Sequence, residues 1–263
     1  MSATMPSKFQ HMATQHPALD WERVGRIGMI MLSVDRATDV EIGRMLPSEV
    51  ACMHVNRVAM GPHCTVQALR DLEADLTRAA SNLLPGTPLD AIGFSCTSGA
   101  VAIGPDRVRA CIQEAHPGVP VTTPLAAAML AMRHLRASRV AVLTPYIDEV
   151  NAIIDNALGA EGFDVVTCGG FHRETDAEMS AIAPASLRAA LLELDSPEAD
   201  VLFICCTALH ASSVIAEVEA TTGKPVITSH QAMLWHALTL AGIDTPIHGF
   251  GQLLAQPGRA DVS

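Results

Sequence analysis

The chain has 263 residues, of which 49% are hydrophobic and 17% charged, and carries a formal net charge of -11. This composition excludes an intrinsically disordered protein. The negative balance argues against a nucleic-acid backbone or an anionic membrane as partner. Aromatic residues make up 3%, too few for a platform that stacks single-stranded bases.

No segment reaches the about 20 consecutive apolar residues that a transmembrane helix needs. The opening stretch MSATMPSKFQHMATQHPALD lacks the apolar core of a signal peptide. Residues 1–22 are therefore expected to form a flexible arm ahead of the fold. Seven cysteines, an odd number in a long chain, point to reduced thiols and a cytoplasmic protein.

In chain order, GRIGMIML at 25–32 predicts a buried strand, and the periodic run at 66–84 a helix. DAIGFSC at 90–96 predicts a second strand, followed by helices at 105–115 and 125–135. RVAVLTP at 139–145 predicts a third strand. A helix at 147–162 stops at Gly162, and another spans 184–194. DVLFICC at 200–206 predicts a fourth strand. Short Val/Ile/Leu-rich strands alternating with helices predict an α/β fold built on doubly wound parallel sheet.

Three segments recur in one order. GRIGMIML at 25 resembles SRVAVLTP at 138, DAIGFSCTSGA at 90 resembles ADVLFICCTAL at 199, and VPVTTPLAAAML at 119 resembles KPVITSHQAMLW at 224. Arg26 aligns with Arg139, Cys96 with Cys206 and Pro120 with Pro225. The repeat implies two copies of one α/β unit, hence two lobes related by a pseudo-two-fold axis. Residues 23–122 plus 228–250 are assigned to the first lobe and 123–227 to the second.

In both copies a buried strand ends in Cys-Thr. Open α/β sheets bind ligands beyond the carboxyl ends of their strands, so Cys96 and Cys206 stand where chemistry is expected. Thr97, Ser98, Thr207 and Ala208 follow them, and free backbone N–H groups there can hold a carboxylate or stabilise a thiolate. A thiolate serves as base or nucleophile. Two thiols across a cleft suit a planar sp² centre between them. The other cysteines read as small buried hydrophobes. Cys205 is turned to the opposite face by strand alternation.

Arg36, His54, His63, His210 and His230 are further candidates for the cleft, with His210 and His230 favoured by their place after the second-lobe motifs. No His/Cys set has zinc spacing, and GFSCTSGAVAIG matches no nucleotide-binding pattern. No metal or organic cofactor is expected.

FSCTSGA with Cys96, VLTPY with Tyr146 and ICCTAL with Cys206 resemble the aspartate/glutamate/hydantoin racemase superfamily. The resemblance spans roughly residues 23–247. The nearer branch holds maleate cis-trans isomerases, arylmalonate decarboxylases and the ectoine-utilisation protein A group. It implies two Rossmann-like lobes, a cofactor-free active site between them and a small carboxylate substrate. Cys96 would be the nucleophile, Cys206 the acid/base partner, and Tyr146 a carboxylate ligand. The decarboxylases keep only the second cysteine. Where isomerases and decarboxylases carry Asn after the first strand, this chain has Asp35. That residue is either a cap or turn residue, or a pointer to an ectoine-derived acid bearing an amino group. A maleate isomerase-like isomerase or racemase is the first reading, with an ectoine-degradation enzyme acting on an amino-bearing acid, a decarboxylase of the arylmalonate type and a non-catalytic two-lobed binding protein as the alternatives. Assembly as a homo-oligomer is expected from the closed symmetry most soluble oligomers adopt.

Overall fold

A computed structural model describes residues 24–258; the arm expected over residues 1–22 lies outside them. The chain forms two four-stranded parallel sheets. The first contains β1 (Gly25–Leu32), β2 (Ala51–Val58), β3 (Ala91–Ser95) and β4 (Val121–Thr122), in the order β2-β1-β3-β4. The second contains β5 (Arg139–Thr144), β6 (Asp164–Gly170), β7 (Val201–Ile204) and β8 (Val226–Thr228), in the order β6-β5-β7-β8.

The intervening helices are α1 (Thr38–Met45), α2 (Val66–Asp71), α3 (Glu73–Ser81), α4 (Thr97–Ile103), α5 (Pro105–Ala115) and α6 (Pro124–His134) in the first half. They are α7 (Asp148–Ala160), α8 (Asp176–Ser180), α9 (Pro184–Leu194), α10 (Ile215–Thr222), α11 (Ser229–Leu240) and α12 (Gly251–Ala255) in the second. The helix expected over 66–84 is two helices, α2 and α3, separated at Leu72. Gly162 adopts φ +82°, the left-handed geometry that ends α7.

The internal repeat maps onto equivalent strands: β1 with β5, β3 with β7, β4 with β8. Its polar details repeat as well. The Arg26 backbone N–H donates to Asp90 Oδ2 at 2.7 Å, and that of Arg139 to Asp200 Oδ2 at 2.9 Å. Ile92 N–H donates to the Pro120 carbonyl at 2.9 Å, and Leu202 N–H to that of Pro225 at 3.0 Å. The X-Pro-Val segments are therefore the edges at which each copy's outer strand joins.

The four inner strands β1, β3, β5 and β7 are covered on both faces, which is why they read as continuous apolar runs. The outer strands β2 and β6 are half-exposed, and their sequences ACMHVNRV and DVVTCGG are mixed accordingly. Helix α11 leaves the second sheet, packs against α6 and β3, and is buried on every side from Ser229 to Thr239.

One carboxylate ties the halves together beside the second cysteine. Glu41 of α1 has a fully buried side chain. Its Oε2 accepts from the backbone N–H groups of Ala211 (2.9 Å) and Ser212 (2.6 Å), in the segment that follows Cys206. Glu41→Ala leaves two buried donors unpaired and is expected to lower stability by about 2–4 kcal/mol, read by urea denaturation. Glu41→Gln, which keeps an acceptor oxygen, should cost clearly less.

Candidate active site

The strands β3 and β7 end on a shared cavity. Cys96 leaves β3 with extended backbone (φ -148°, ψ 106°) and caps α4. Its Sγ accepts from the Gly99 N–H at 3.3 Å. A Cβ on Gly99 would lie 2.7 Å from that sulfur, so only glycine allows the backbone to approach the thiol. Beyond β7, Cys206 Sγ accepts from the Ala208 N–H at 3.2 Å. Tyr146, in the segment that follows β5, lines the same cavity, and its hydroxyl favours the ionised form of Cys206.

Cys96 and Cys206 line one cavity of about 20 Å³, with Thr97, Ser98, Tyr146, Thr207 and Ala208. Leu32, Met60, Leu69 and Met179 supply its apolar wall. That volume holds about one water, so a small carboxylic acid enters only if its walls part. A larger depression of about 570 Å³ lies between β5, β6 and α7, and neither Cys96 nor Cys206 lines it.

Two lining groups escaped the sequence reading. Cys64, assigned there to the core, faces the cavity with Sγ 3.9 Å from the Ser98 hydroxyl. Asp176 at the start of α8 is the other. Both are brought in by a contact between the lobes. Cys64 N–H donates to the Glu174 carbonyl at 2.8 Å, and His63 forms an antiparallel bridge with Thr175.

Two expected ligands lie elsewhere. Asp35 does not line the cavity. Its Oδ1 accepts from the N–H groups of Ala37 (2.8 Å) and Thr38 (3.0 Å), and its Oδ2 from the Thr38 hydroxyl (2.6 Å). Both of its oxygens are thus engaged in the turn that leads into α1. His210 turns away to Glu41, with Nδ1 3.6 Å from Oε1. His230 is buried beneath the site, Nε2 3.0 Å from the Thr38 hydroxyl. Burial lowers its pKa, so the ring is neutral. Ser95 and Ser229 complete this polar layer: the Ser95 hydroxyl lies 2.8 Å from that of Thr38, and Thr97 donates to Ser229 at 3.0 Å. Arg36 is exposed, His54 sits on the outer strand β2, and Cys205 is buried outside the cavity.

Burial pushes the thiols of both Cys96 and Cys206 well above the usual range. Cys64 adds to the rise at Cys96, while the Gly99 N–H opposes it. At Cys206 the Tyr146 hydroxyl and the Ala208 N–H oppose it. Cys64 is raised to about 11, again chiefly by burial. All three thiols thus carry protons at rest. Burial likewise raises the Asp176 carboxyl to about 7; Asp35 adds to this, and Arg36 offsets part of it. Among the described residues, no cluster of three or more His, Cys, Asp or Glu side chains is arranged to hold a metal ion.

A duplicated parallel-sheet fold with a thiol from each half on one cavity defines the aspartate/glutamate racemase-like superfamily. Within it, the chain belongs to the arylmalonate decarboxylase family, which it matches over residues 76–254. It is 25% identical to the maleate isomerase of Pseudomonas putida over 244 residues, 88% of this chain and 97% of that protein. A crystal structure of the maleate isomerase Iso of Pseudomonas putida S16, a cysteine-to-alanine variant with maleate, superposes with a TM-score of 0.82. The identity is 25%, over 89% of this chain and 98% of that one. The maleate cis-trans isomerase of Nocardia farcinica shares the fold at a TM-score of 0.82 and 24% identity, over 89% and 100% of the two chains. That structure is a cysteine-to-serine variant with a covalently bound succinylcysteine intermediate.

Proposed function

We propose that this chain is a cofactor-independent cis-trans isomerase of a small unsaturated carboxylic acid, working as the maleate isomerases do. The observation that carries the reading is the presence of both Cys96 and Cys206 on one cavity. A decarboxylase that relies on the second cysteine has no use for Cys96. The maleate isomerase relatives and the succinylcysteine intermediate of the Nocardia farcinica enzyme support the same choice.

In this mechanism Cys96 loses its proton to water as the substrate enters, and its sulfur adds to one carbon of the cis double bond. Cys206 delivers its proton to the neighbouring carbon, and the C=C bond becomes a single bond. Rotation about that bond brings the carboxyl groups, or the carboxyl and its counterpart, trans. Cys206, now a thiolate, removes the proton it gave, and the C–S bond to Cys96 breaks as the double bond re-forms. Cys206 is a thiol again, and Cys96, expelled as a thiolate, takes its proton back from water as the product leaves. The chemistry consists of proton transfer and thiol addition, so no step calls for a metal or an organic cofactor.

In this reading each supporting group has a part. The Gly99 N–H stabilises the Cys96 thiolate against its burial. The Ala208 N–H and Tyr146 hydroxyl stabilise the thiolate left on Cys206. Thr97, Ser98, Thr207 and Ala208 would surround the substrate carboxylate. Tyr146→Phe removes one donor from Cys206 and is expected to lower kcat by about a hundredfold, with little change in KM. Steady-state kinetics on the folded variant check this. A cytoplasmic setting and a homo-oligomer belong to the same proposal, the first resting on seven free thiols.

Proton NMR tests the reading. The protein is incubated in D₂O with maleate and with maleate derivatives that keep one free carboxylate. Appearance of the trans alkene, dependent on both cysteines, supports it. Carbon dioxide release from an arylmalonate that survives Cys96→Ala would move the protein to the decarboxylases.

A further inference from the structure

The isomerase reading leaves two polar cavity groups, Cys64 and Asp176, without a task, and of these only Asp176 is a carboxylic acid. Asp176 lines the cavity beside both cysteines, and its Oδ1 is buried with no hydrogen-bond partner among the described residues. A buried acceptor without a donor is costly and is generally retained where something supplies the donor. No Arg, Lys or His lines the cavity among the described residues. A dicarboxylate placed there would bring a second negative charge against Asp176 with no cation at the cavity wall to offset it. The case for a donor-bearing substrate thus passes from Asp35, whose carboxylate is fully engaged, to Asp176.

We infer that Asp176 sets substrate choice. It accepts a hydrogen bond from an N–H group, in the simplest case a carboxamide, on a cis substrate with a single free carboxylate, and disfavours the dicarboxylate. The inference rests on the isomerase reading and names its substrate class. A carboxamide has the shape of a carboxylate, is neutral, and keeps the carbonyl that activates the double bond toward a thiol. Its N–H is the donor that Asp176 Oδ1 lacks.

The pH dependence follows from the same carboxyl. Its titratable and charged surroundings are Asp35, Arg36 and the thiols of Cys64, Cys96 and Cys206. The thiols keep their protons through neutrality, so Asp176 is the group that changes as pH crosses about 7. Above that it is an acceptor only, and the preference for an N–H donor widens. Below it the protonated carboxyl can donate to a carboxylate, and the preference narrows.

Binding measured without turnover tests the inference. The full chain carrying Cys96→Ser, which blocks thioether formation, is titrated calorimetrically at pH 8 with maleate and with maleamate, its monoamide. Maleamate is expected to bind at least about ten-fold more tightly. Adding Asp176→Asn, whose amide donates to a carboxylate, should reverse the order, with a thermal melt showing that the variant is folded. Equal or tighter maleate binding, an unchanged ratio in Asp176→Asn, or binding of neither ligand overturns the inference. A fall in kcat on Asp176→Asn with the affinity ratio unchanged also overturns it, and places Asp176 in proton transfer. Failure of the isomerase reading shows separately, as a maleamate preference without wild-type turnover.

Discussion

Cys96→Ala abolishes cis-trans conversion, lowering kcat by at least about ten-thousand-fold, and Cys206→Ala does nearly the same. Without Cys96 no covalent adduct forms, and the double bond cannot become a single bond about which to rotate. Without Cys206 the neighbouring carbon has no positioned acid, and the adduct has no positioned base to expel it. The two thiols act as a unit, so the double variant should be no worse than either single one. Cys64→Ala provides the contrast. It lines the same cavity, but the one hydrogen-bonding contact of its sulfur among the described residues is the Ser98 hydroxyl, at 3.9 Å. Turnover in that variant should stay within about ten-fold of wild type. Each substitution removes one small buried atom, so thermal melts separate lost chemistry from lost fold. Loss of activity on Cys64→Ala equal to that on Cys96→Ala would reassign the nucleophile.

Asp176→Asn stabilises the protein at pH 8 and leaves it unchanged at pH 4. An ordinary aspartate titrates at 3.8, whereas burial holds Asp176 in the folded chain near 7. Below pH 4 the carboxyl is protonated in both folded and unfolded chains and costs nothing. Between pH 4 and 7 the folded chain binds the extra proton, so stability falls as pH rises, and the penalty is complete above 7. The two pKa values bound the effect at about 4 kcal/mol. Residual solvent access reduces the expected gain to about 1–3 kcal/mol. Melts of the two proteins across pH 4–8 should therefore diverge only above the lower end. Parallel curves would mean that Asp176 is as well solvated folded as unfolded, which would remove its role in substrate choice as well.

The parts of this molecule that were legible in sequence are those whose environment is uniform. The strands β1, β3, β5 and β7 are buried on both faces, so each is an unbroken apolar run, and their repeat carried Cys96 and Cys206 to equivalent places. The outer strands β2 and β6 face water on one side and the core on the other, with His54, Asn56, Arg57 and paired glycines in their runs. They gave no clear alternation. Helix α11 is buried all round, so it lacks the polar face by which a helix is usually read.

Site residues divide in the same way. Thr97, Ser98, Thr207 and Ala208 adjoin the cysteines in sequence, and chain continuity holds them at the cavity. Asp176 lies in FHRETDAEMS, a polar stretch that reads as a solvent-facing loop. Only the pairing of residues 63–64 with 174–175, between lobes more than a hundred positions apart, turns it inward with Cys64. No local pattern encodes that contact. Conversely, His210 is four residues from Cys206 yet is drawn off to Glu41. Asp35 spends its oxygens on Ala37 and Thr38, its immediate neighbours.

The most direct test of the two-thiol account is peptide-mapped mass spectrometry of the Cys206→Ser protein, quenched in acid after incubation with maleate or maleamate. With the base for elimination removed, and the serine hydroxyl or water left to supply the proton to the neighbouring carbon, the account predicts a stable adduct of one substrate mass on the peptide that contains Cys96. An adduct on Cys64 instead, or no adduct while the wild-type protein converts the same substrate, would contradict it.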